Sequence, residues 1–256
     1  GTIQYADIEQ TKVRLYAANF IDATQNAELA RKAGLAYYQG FESQRADLYN
    51  ETLAVSVVPV TIGITIQDFQ EIERQIFQNP ELMSALETRV RDYQPPEGAN
   101  FWLGRFREPI VHLYPDGFAV RSVALGAAYL LYRNQPFTLD GFFFDRSNVC
   151  AVGQPDVLSW NGFLFKYPVD RILEIEAQGY RPTPDMIAEM TAFEGWLQEV
   201  TGREVRVVLP PEVYVRHSVS IQDVLDPLTG LEIARGGTPP ATSVGSFPTN
   251  STFAAG

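Results

Sequence analysis

The chain has 256 residues, of which 45% are hydrophobic and 12% aromatic, and this is enough apolar material for a substantial buried core. Acidic residues outnumber basic residues by 31 to 20, which gives a formal net charge of −11. Because nucleic-acid backbones and anionic membranes are bound mainly by Lys and Arg, we expect neither as a partner.

Cysteine usage and hydropathy indicate the compartment. Cys150 is the single cysteine of the chain, so an intramolecular disulfide cannot form. The longest apolar run, residues 123–132, is too short to span a bilayer. We expect a soluble protein of a reducing compartment or of an assembled particle, with no targeting or transmembrane segment.

The first third of the chain has helical spacing. Residues 22–25 (Asp-Ala-Thr-Gln) follow the pattern of a capping box. Beyond them, Leu29, Ala33 and Tyr37 recur at four-residue intervals and predict one long helix. Small residues along it, ending with Gly40, would let a second helix approach closely, from the same chain or from a neighbouring subunit.

The pattern then changes to period two. Residues 53–66 are rich in Val, Ile and Thr and predict strands, with Pro59 at an edge, a bulge or a strand boundary. A second helix is predicted after Asp68, and its spacing resumes after the Asn-Pro pair at residues 79–80. The Pro-Pro pair at residues 95–96 marks either an internal boundary or a loop within one domain.

The second part of the chain alternates between strand and helix patterns. A turn is predicted at residues 115–117 (Pro-Asp-Gly), and the Asn-Gly pair at residues 161–162 predicts a β-hairpin. Residues 122–134 predict a short buried helix. A longer helix is predicted over residues 183–202, from a capping Thr to a terminating Gly. Its predicted apolar stripe consists of Ile187, Met190, Phe193, Leu197 and Val200.

These elements predict an α+β fold. We expect a helix-rich N-terminal region over residues 1–93, which can belong to the same domain as the rest. A mixed, mainly antiparallel sheet with packed helices follows over residues 94–235. We expect residues 236–256, which are rich in Gly, Pro, Ser and Thr, to form an extended C-terminal arm.

Metal and nucleophile chemistry have little support in the sequence. His112, Asp116 and His217 could supply two histidines and a carboxylate, but the short spacing typical of such sites is absent. Cys150 would need a histidine base close in space, and a buried apolar role explains it better. No nucleophile-elbow or phosphate-loop motif is present. We expect no metal and no cofactor.

Acidic residues at turns support one alternative function. Asp116, Asp140, Asp145 and Asp156 lie at or beside predicted turns, with aromatic residues nearby. Two carboxyl groups at a set distance are sufficient for glycoside hydrolysis, so the alternative is an intracellular, glycosidase-like hydrolase. Aspartate also favours turns for structural reasons alone, and the sequence favours a non-enzymatic chain.

Partner-binding residues are predicted in two places. Phe247 and Phe253 are the anchors of the C-terminal arm, and Phe101, Trp102 and Arg105 interleave aromatic and basic side chains. The latter stretch is equally explained as a strand with one buried aromatic face.

Together these features predict a structural subunit of a multi-subunit assembly, such as a virion or phage tail. It would contact other protein subunits, including copies of itself, through its arm and its helix faces. A third possibility is a monomeric binding domain whose arm folds back on its own surface.

Overall fold

The computed structural model of the chain describes residues 2–6, 12–106, 111–114, 117–120 and 122–224, together with Leu231 and Arg235. The chain divides into two compact units, residues 1–221 and residues 222–256, and every element named below belongs to the first. The expected boundary after residue 93 therefore falls inside the first unit, and the expected arm, 236–256, lies outside the described residues.

Strands and helices are both distributed along the first unit. Its described strands are β1 (Thr2–Ala6), β2 (Lys12–Tyr16), β3 (Tyr37–Gln39), β4 (Val55–Val57), β5 (Val60–Ile62), β6 (Val111–Tyr114), β7 (Gly117–Val120), β8 (Phe142–Val152), β9 (Gln154–Phe165), β10 (Arg206–Val208) and β11 (Val219–Ile221). Its described helices are α1 (Glu28–Lys32), α2 (Ile66–Gln78), α3 (Pro80–Tyr93), α4 (Pro96–Arg105), α5 (Val123–Tyr132), α6 (Val169–Ala177) and α7 (Pro184–Thr201).

The main sheet of the described residues is antiparallel. Its strand order is β10-β5-β9-β8-β7-β6, and β4 also pairs with β9. The strands β1 and β2 form a separate hairpin, and β11 pairs with β3. Antiparallel sheets with helices distributed along the chain confirm the predicted α+β class.

Helices α2 and α7 pack against one face of the main sheet. Trp160 of β9 is fully buried there, with its ring 4.4 Å from that of Phe69 on α2 and 5.0 Å from that of Phe193 on α7. Its indole N–H donates to the hydroxyl of Thr61 on β5 at 2.8 Å. The neighbouring Leu158 is also fully buried, so this face of β5 and β9 forms the core.

Helix α5 adds a buried tyrosine to the same core. The ring of Tyr129 packs edge-on against Phe144 and Phe193, and its hydroxyl donates to the carboxylate of Glu189. That carboxylate is also paired with Arg133, at 3.1 Å between Nε and Oε1. Burial raises the pKa of Tyr129, and the Glu189 charge raises it further, so the phenol stays protonated.

Two helices begin at the caps that their sequences favour. Thr65 and Asp68 form a reciprocal capping box at the start of α2, with the Thr65 backbone N–H donating to the Asp68 carboxylate at 2.8 Å. Helix α7 begins after Thr183 and ends at Gly202, whose φ of 64° is a left-handed conformation. The predicted helix over residues 183–202 is confirmed.

The predicted long N-terminal helix is wrong. Only the five residues of α1 are helical there; Gly34, with a φ of 88°, follows, and the chain from Tyr37 pairs as β3 with β11. Asp22 does cap backbone N–H groups, but it accepts from Ala30 at 2.8 Å, inside α1. The small-residue helix face expected beyond α1 does not form.

The predicted hairpin at Asn161-Gly162 is also wrong. Both residues lie inside β9, and the turn between β8 and β9 falls at Gly153, whose φ is 75°. Phe144 pairs with Phe163 and Asn148 pairs with Asn161, so Gly162 is opposite a bulge in β8. A glycine can therefore mark a bulge partner as well as a turn.

The apolar stripe of α7 is rotated from the predicted one. Ile187 is 45% exposed, whereas Met186 is fully buried and Trp196 nearly so. Met190, Phe193 and Leu197 are buried as predicted, and Val200 is partly buried against the core. In the described part of the chain, no helix is both long and apolar enough to cross a membrane.

Candidate interaction surface

Helix α4 carries the three residues that the sequence predicted for partner binding around position 102. The segment is a helix and not a strand: Pro96 takes its first position, where the missing N–H is no loss. Phe101 and Arg105 are four residues apart and lie on the same side of the helix. The Arg105 guanidinium lies 4.3 Å from the centroid of the Phe101 ring, a close cation–π contact.

Trp102 fixes this pair to the core. Its ring lies 5.5 Å from Phe137 and 5.6 Å from Phe143, both of which are almost fully buried. The Phe101 ring packs edge-on against the Trp102 indole at 5.4 Å and remains 47% exposed. The structure therefore brings the three predicted residues together. Trp102 packs on the core, and Phe101 and Arg105 lie outside it.

A second aromatic–arginine pair lies at the end of α3. The Arg89 guanidinium is 5.8 Å from the centroid of the Tyr93 ring, again at four-residue spacing, and Tyr93 is 48% exposed. Arg89 also donates to the Gln135 carbonyl at 2.9 Å and to the Asn134 side chain at 3.0 Å. These bonds fix the position of the guanidinium.

The loop after α5 joins the two pairs. Gln94, just after α3, donates from its side chain to the Phe137 carbonyl at 2.7 Å, while the Phe137 ring packs on Trp102. Leu139 of the same loop is 47% exposed. We call Tyr93, Phe101, Leu139, Arg89 and Arg105 the α3–α4 surface.

An open groove runs along the outer side of α3 next to this surface. It has a volume of about 650 Å³, and its lining includes Ser84, Thr88 and Asp92 on α3 and Leu131 on α5, as well as Arg89. Residues at four-residue spacing line it because they share one side of the helix.

The structure does not bring the predicted carboxylates together. Asp140 lies beside Lys166 at the end of β9, with 3.5 Å between Nζ and Oδ1. Asp156 lies near the start of β9, ten residues before Lys166. At the usual rise per residue of a strand, Asp156 is on the order of 30 Å from Lys166 and from the adjacent Asp140. Asp145 lies in the β8 bulge, about 20 Å from Asp156 and about 15 Å from Asp140. Glycosidase carboxyl groups are roughly 5–10 Å apart, and Asp116 is outside the described residues.

The other predicted chemistry is equally dispersed. Cys150 is exposed on β8, and His112 is on β6. The His217 ring is tilted against that of Phe41, with 5.3 Å between the ring centroids. Burial lowers the pKa of His217, and a hydrogen bond to the Gly40 backbone opposes that shift. Among the residues that the structure describes, no three His, Cys, Asp or Glu side chains are grouped as metal ligands would be.

Sequence reasoning missed the Arg89–Tyr93 pair. Its signal was present, since both aromatic–arginine pairs have the same four-residue helical spacing. The composition around Arg89 and Tyr93 is not rich in aromatic residues, so the helical spacing is their one signal in the sequence. The predicted anchors Phe247 and Phe253 are outside the described residues.

No protein-family model matches the chain, and no curated protein or solved structure is significantly similar to it. Its function is therefore inferred from the geometry of these surfaces.

Proposed function

We propose that the chain is a structural subunit of a multi-subunit assembly, of the kind that builds virions or phage tails. The observation that carries this proposal is the cation–π pair of the exposed Phe101 and the partly exposed Arg105, with Phe101 packed on Trp102. Aromatic residues and Arg supply most of the binding energy at protein interfaces, and a side chain that is already positioned loses little entropy on binding. The α3–α4 surface is therefore the contact with a neighbouring subunit.

The neighbour is a second copy of the chain. The chain has 31 acidic residues against 20 basic ones and a net charge of −11, whereas the α3–α4 surface includes Arg89 and Arg105. A basic, aromatic surface meeting a different, acidic surface on the next copy is a head-to-tail contact. Contacts of this kind propagate into rings or filaments, which suits a structural subunit.

The predicted C-terminal arm adds a second contact to this proposal. Its anchors, Phe247 and Phe253, would bind a neighbour while Gly236 and Gly237 release the arm from the preceding chain. This part of the proposal comes from the composition of residues 236–256 alone.

The proposal is tested by sedimentation velocity of the full chain over a range of concentrations. Phe101→Ala and Arg105→Ala are compared with Ile187→Ala on α7, because Ile187 is a helical side chain whose exposure, 45%, is close to the 47% of Phe101. We expect the wild type and Ile187→Ala to associate alike and each α4 variant to weaken association about tenfold or more. Melting curves establish that the α4 variants are folded.

Association that is unchanged in both α4 variants would show that another surface makes the contact. A wild-type chain that stays monomeric at every concentration would contradict the proposal as a whole.

A further inference from the structure

The main sheet has a second face that the helices of the core do not cover. In β5 and β10, alternate residues leave the core: Val60 and Ile62 flank the fully buried Thr61, and Val208 pairs with Val60 across the ladder. Ile62 is 38% exposed and Val208 is 42% exposed. This is the alternation of a sheet with one buried and one open face.

The register extends this open face across four strands. One row runs from Val208 through Val60 and Ser159 to Cys150, because these residues are direct cross-strand partners. A second row runs from Arg206 through Ile62 to Val157. Every member of both rows is exposed or partly exposed, and five of the seven are Val, Ile or Cys. We call these seven residues the open sheet face.

Charge indicates what can cover this face. Arg206 is its one charged member, and Glu204, two residues earlier in the chain, is exposed beside it. Among the described residues, neither has an ion-pair partner. In a two-fold contact, each pair of contacting residues occurs twice, once in each direction. Arg206 of one copy can therefore pair with Glu204 of the other, and Glu204 of the first with Arg206 of the second. The other six residues of the open sheet face carry no charge, so two acidic chains can meet there without placing like charges opposite each other.

The outer edge of β10 is not free to pair with a strand of another chain. The Val207 backbone N–H donates to the Glu194 carboxylate of α7 at 2.7 Å, and Gln198 donates to the Val205 carbonyl at 2.8 Å. A partner strand therefore cannot pair beside β10 without breaking these bonds.

We propose that a second copy of this chain covers the open sheet face, sheet against sheet, about a two-fold axis. Face-to-face sheets pack about 10 Å apart with interdigitated side chains, so the contact buries Val208, Ile62 and Cys150 of both copies. This contact uses residues other than the α3–α4 surface and does not depend on it. A subunit with one two-fold and one head-to-tail contact has the two interfaces that an extended assembly needs.

Cys150 reports directly on the proposed contact, because it is exposed in the monomer and is the single cysteine of the chain. The experiment measures the rate of Cys150 alkylation by N-ethylmaleimide, by mass spectrometry, together with the solution mass at each concentration. We expect the rate per subunit to fall in proportion to the fraction of dimer. Val208→Lys and Ile62→Lys lose both the dimer and the protection of Cys150, while Ile187→Lys on α7 keeps both.

Two outcomes overturn the proposal outright. One is a dimer that forms with no change in the alkylation rate. The other is a Cys150 alkylation rate that is faster than the wild-type rate, at the lowest concentration, in the Phe247→Ala/Phe253→Ala double variant. That result would mean that the chain's own C-terminal segment covers the open sheet face.

The two proposed contacts are separated by their variants. Association that is removed by Phe101→Ala and unaffected by Val208→Lys would overturn the open-sheet-face proposal and leave the α3–α4 surface standing. The reverse result would keep the open sheet face and contradict the α3–α4 surface. The two lysine variants guard against misfolding, since they place the charge on different strands and both positions are more than a third exposed.

Discussion

The Glu194 carboxylate accepts a hydrogen bond from the backbone N–H of Val207 at 2.7 Å. Val207 is the middle residue of β10, the outermost strand on its side of the main sheet. With Gln198 bound to the Val205 carbonyl, α7 occupies backbone groups that would otherwise be free to pair with another strand. The helix thus closes one edge of the sheet.

Removing this bond should open the edge. In Glu194→Ala the Val207 N–H loses its acceptor, so we expect a loss of about 1–2 kcal/mol in the free energy of unfolding. We also expect thioflavin-positive aggregates at concentrations where the wild type stays clear. Glu194→Gln is the matched control, because the amide oxygen can still accept from Val207. If the Ala and Gln variants behave alike, the carboxylate does not protect the edge.

Gly126 sets how closely α5 approaches β8. A Cβ at this position would lie 2.6 Å from the Phe144 carbonyl oxygen and 2.7 Å from that of Asp145, and both atoms belong to the backbone. We expect Gly126→Ala to lower the free energy of unfolding by about 2–3 kcal/mol, measured by chemical denaturation.

Gly195 of α7 provides the control for this substitution. It also lies inside a helix, but a Cβ there would meet no atom within 4 Å. Because Ala is the better helix former, Gly195→Ala should be neutral or stabilising by up to about 1 kcal/mol. A Gly126→Ala variant as stable as Gly195→Ala would show that α5 does not pack against β8 as closely as described.

Glu73 on α2 is a buried acid that should make stability depend on pH. Burial raises its pKa from 4.5 to about 7, although the Ser122 hydroxyl, which donates to it at 2.6 Å, opposes the shift. Between these two values the folded chain binds more protons than the unfolded chain. The contribution of Glu73 to stability is therefore greatest below pH 4.5 and falls as the pH rises to about 7.

Glu73→Gln should remove this dependence, because the amide carries no charge and its oxygen can still accept from Ser122. Above pH 7 we expect the variant to be more stable than the wild type by about 3–4 kcal/mol, at about 1.4 kcal/mol per pKa unit. Below the pKa of a free carboxyl group the two should be alike. Denaturation curves at several pH values measure both, and a constant difference across the range would contradict the assignment to Glu73.

Local signals in the sequence were reliable where they act within one element. Helix α7 begins after Thr183 and ends at Gly202, as predicted, because a helix cap and a left-handed terminating residue depend on the neighbouring backbone alone. The alternation of Val60, Thr61 and Ile62 likewise marked a half-buried strand, and the structure adds which strands flank it.

Signals that depend on distant residues were misleading. Helical spacing after Asp22 predicted a long helix, but pairing of β3 with β11, nearly 200 residues away in the chain, outweighed local propensity. Asn161-Gly162 has turn chemistry, yet it lies opposite a bulge whose existence depends on β8. Of the α3–α4 surface, the sequence predicted Phe101 and Arg105. The Arg89–Tyr93 spacing was also available locally, whereas the exposure of Leu139 depends on how the loop after α5 folds.

We propose that this chain associates with copies of itself. The mass of the purified full chain in solution, measured by light scattering as the concentration rises, tests this proposal. We predict a mass that increases above the 28.6 kDa of one chain, and a smaller increase for Phe101→Ala. A mass that stays at that of a single chain over the whole range would contradict the claim.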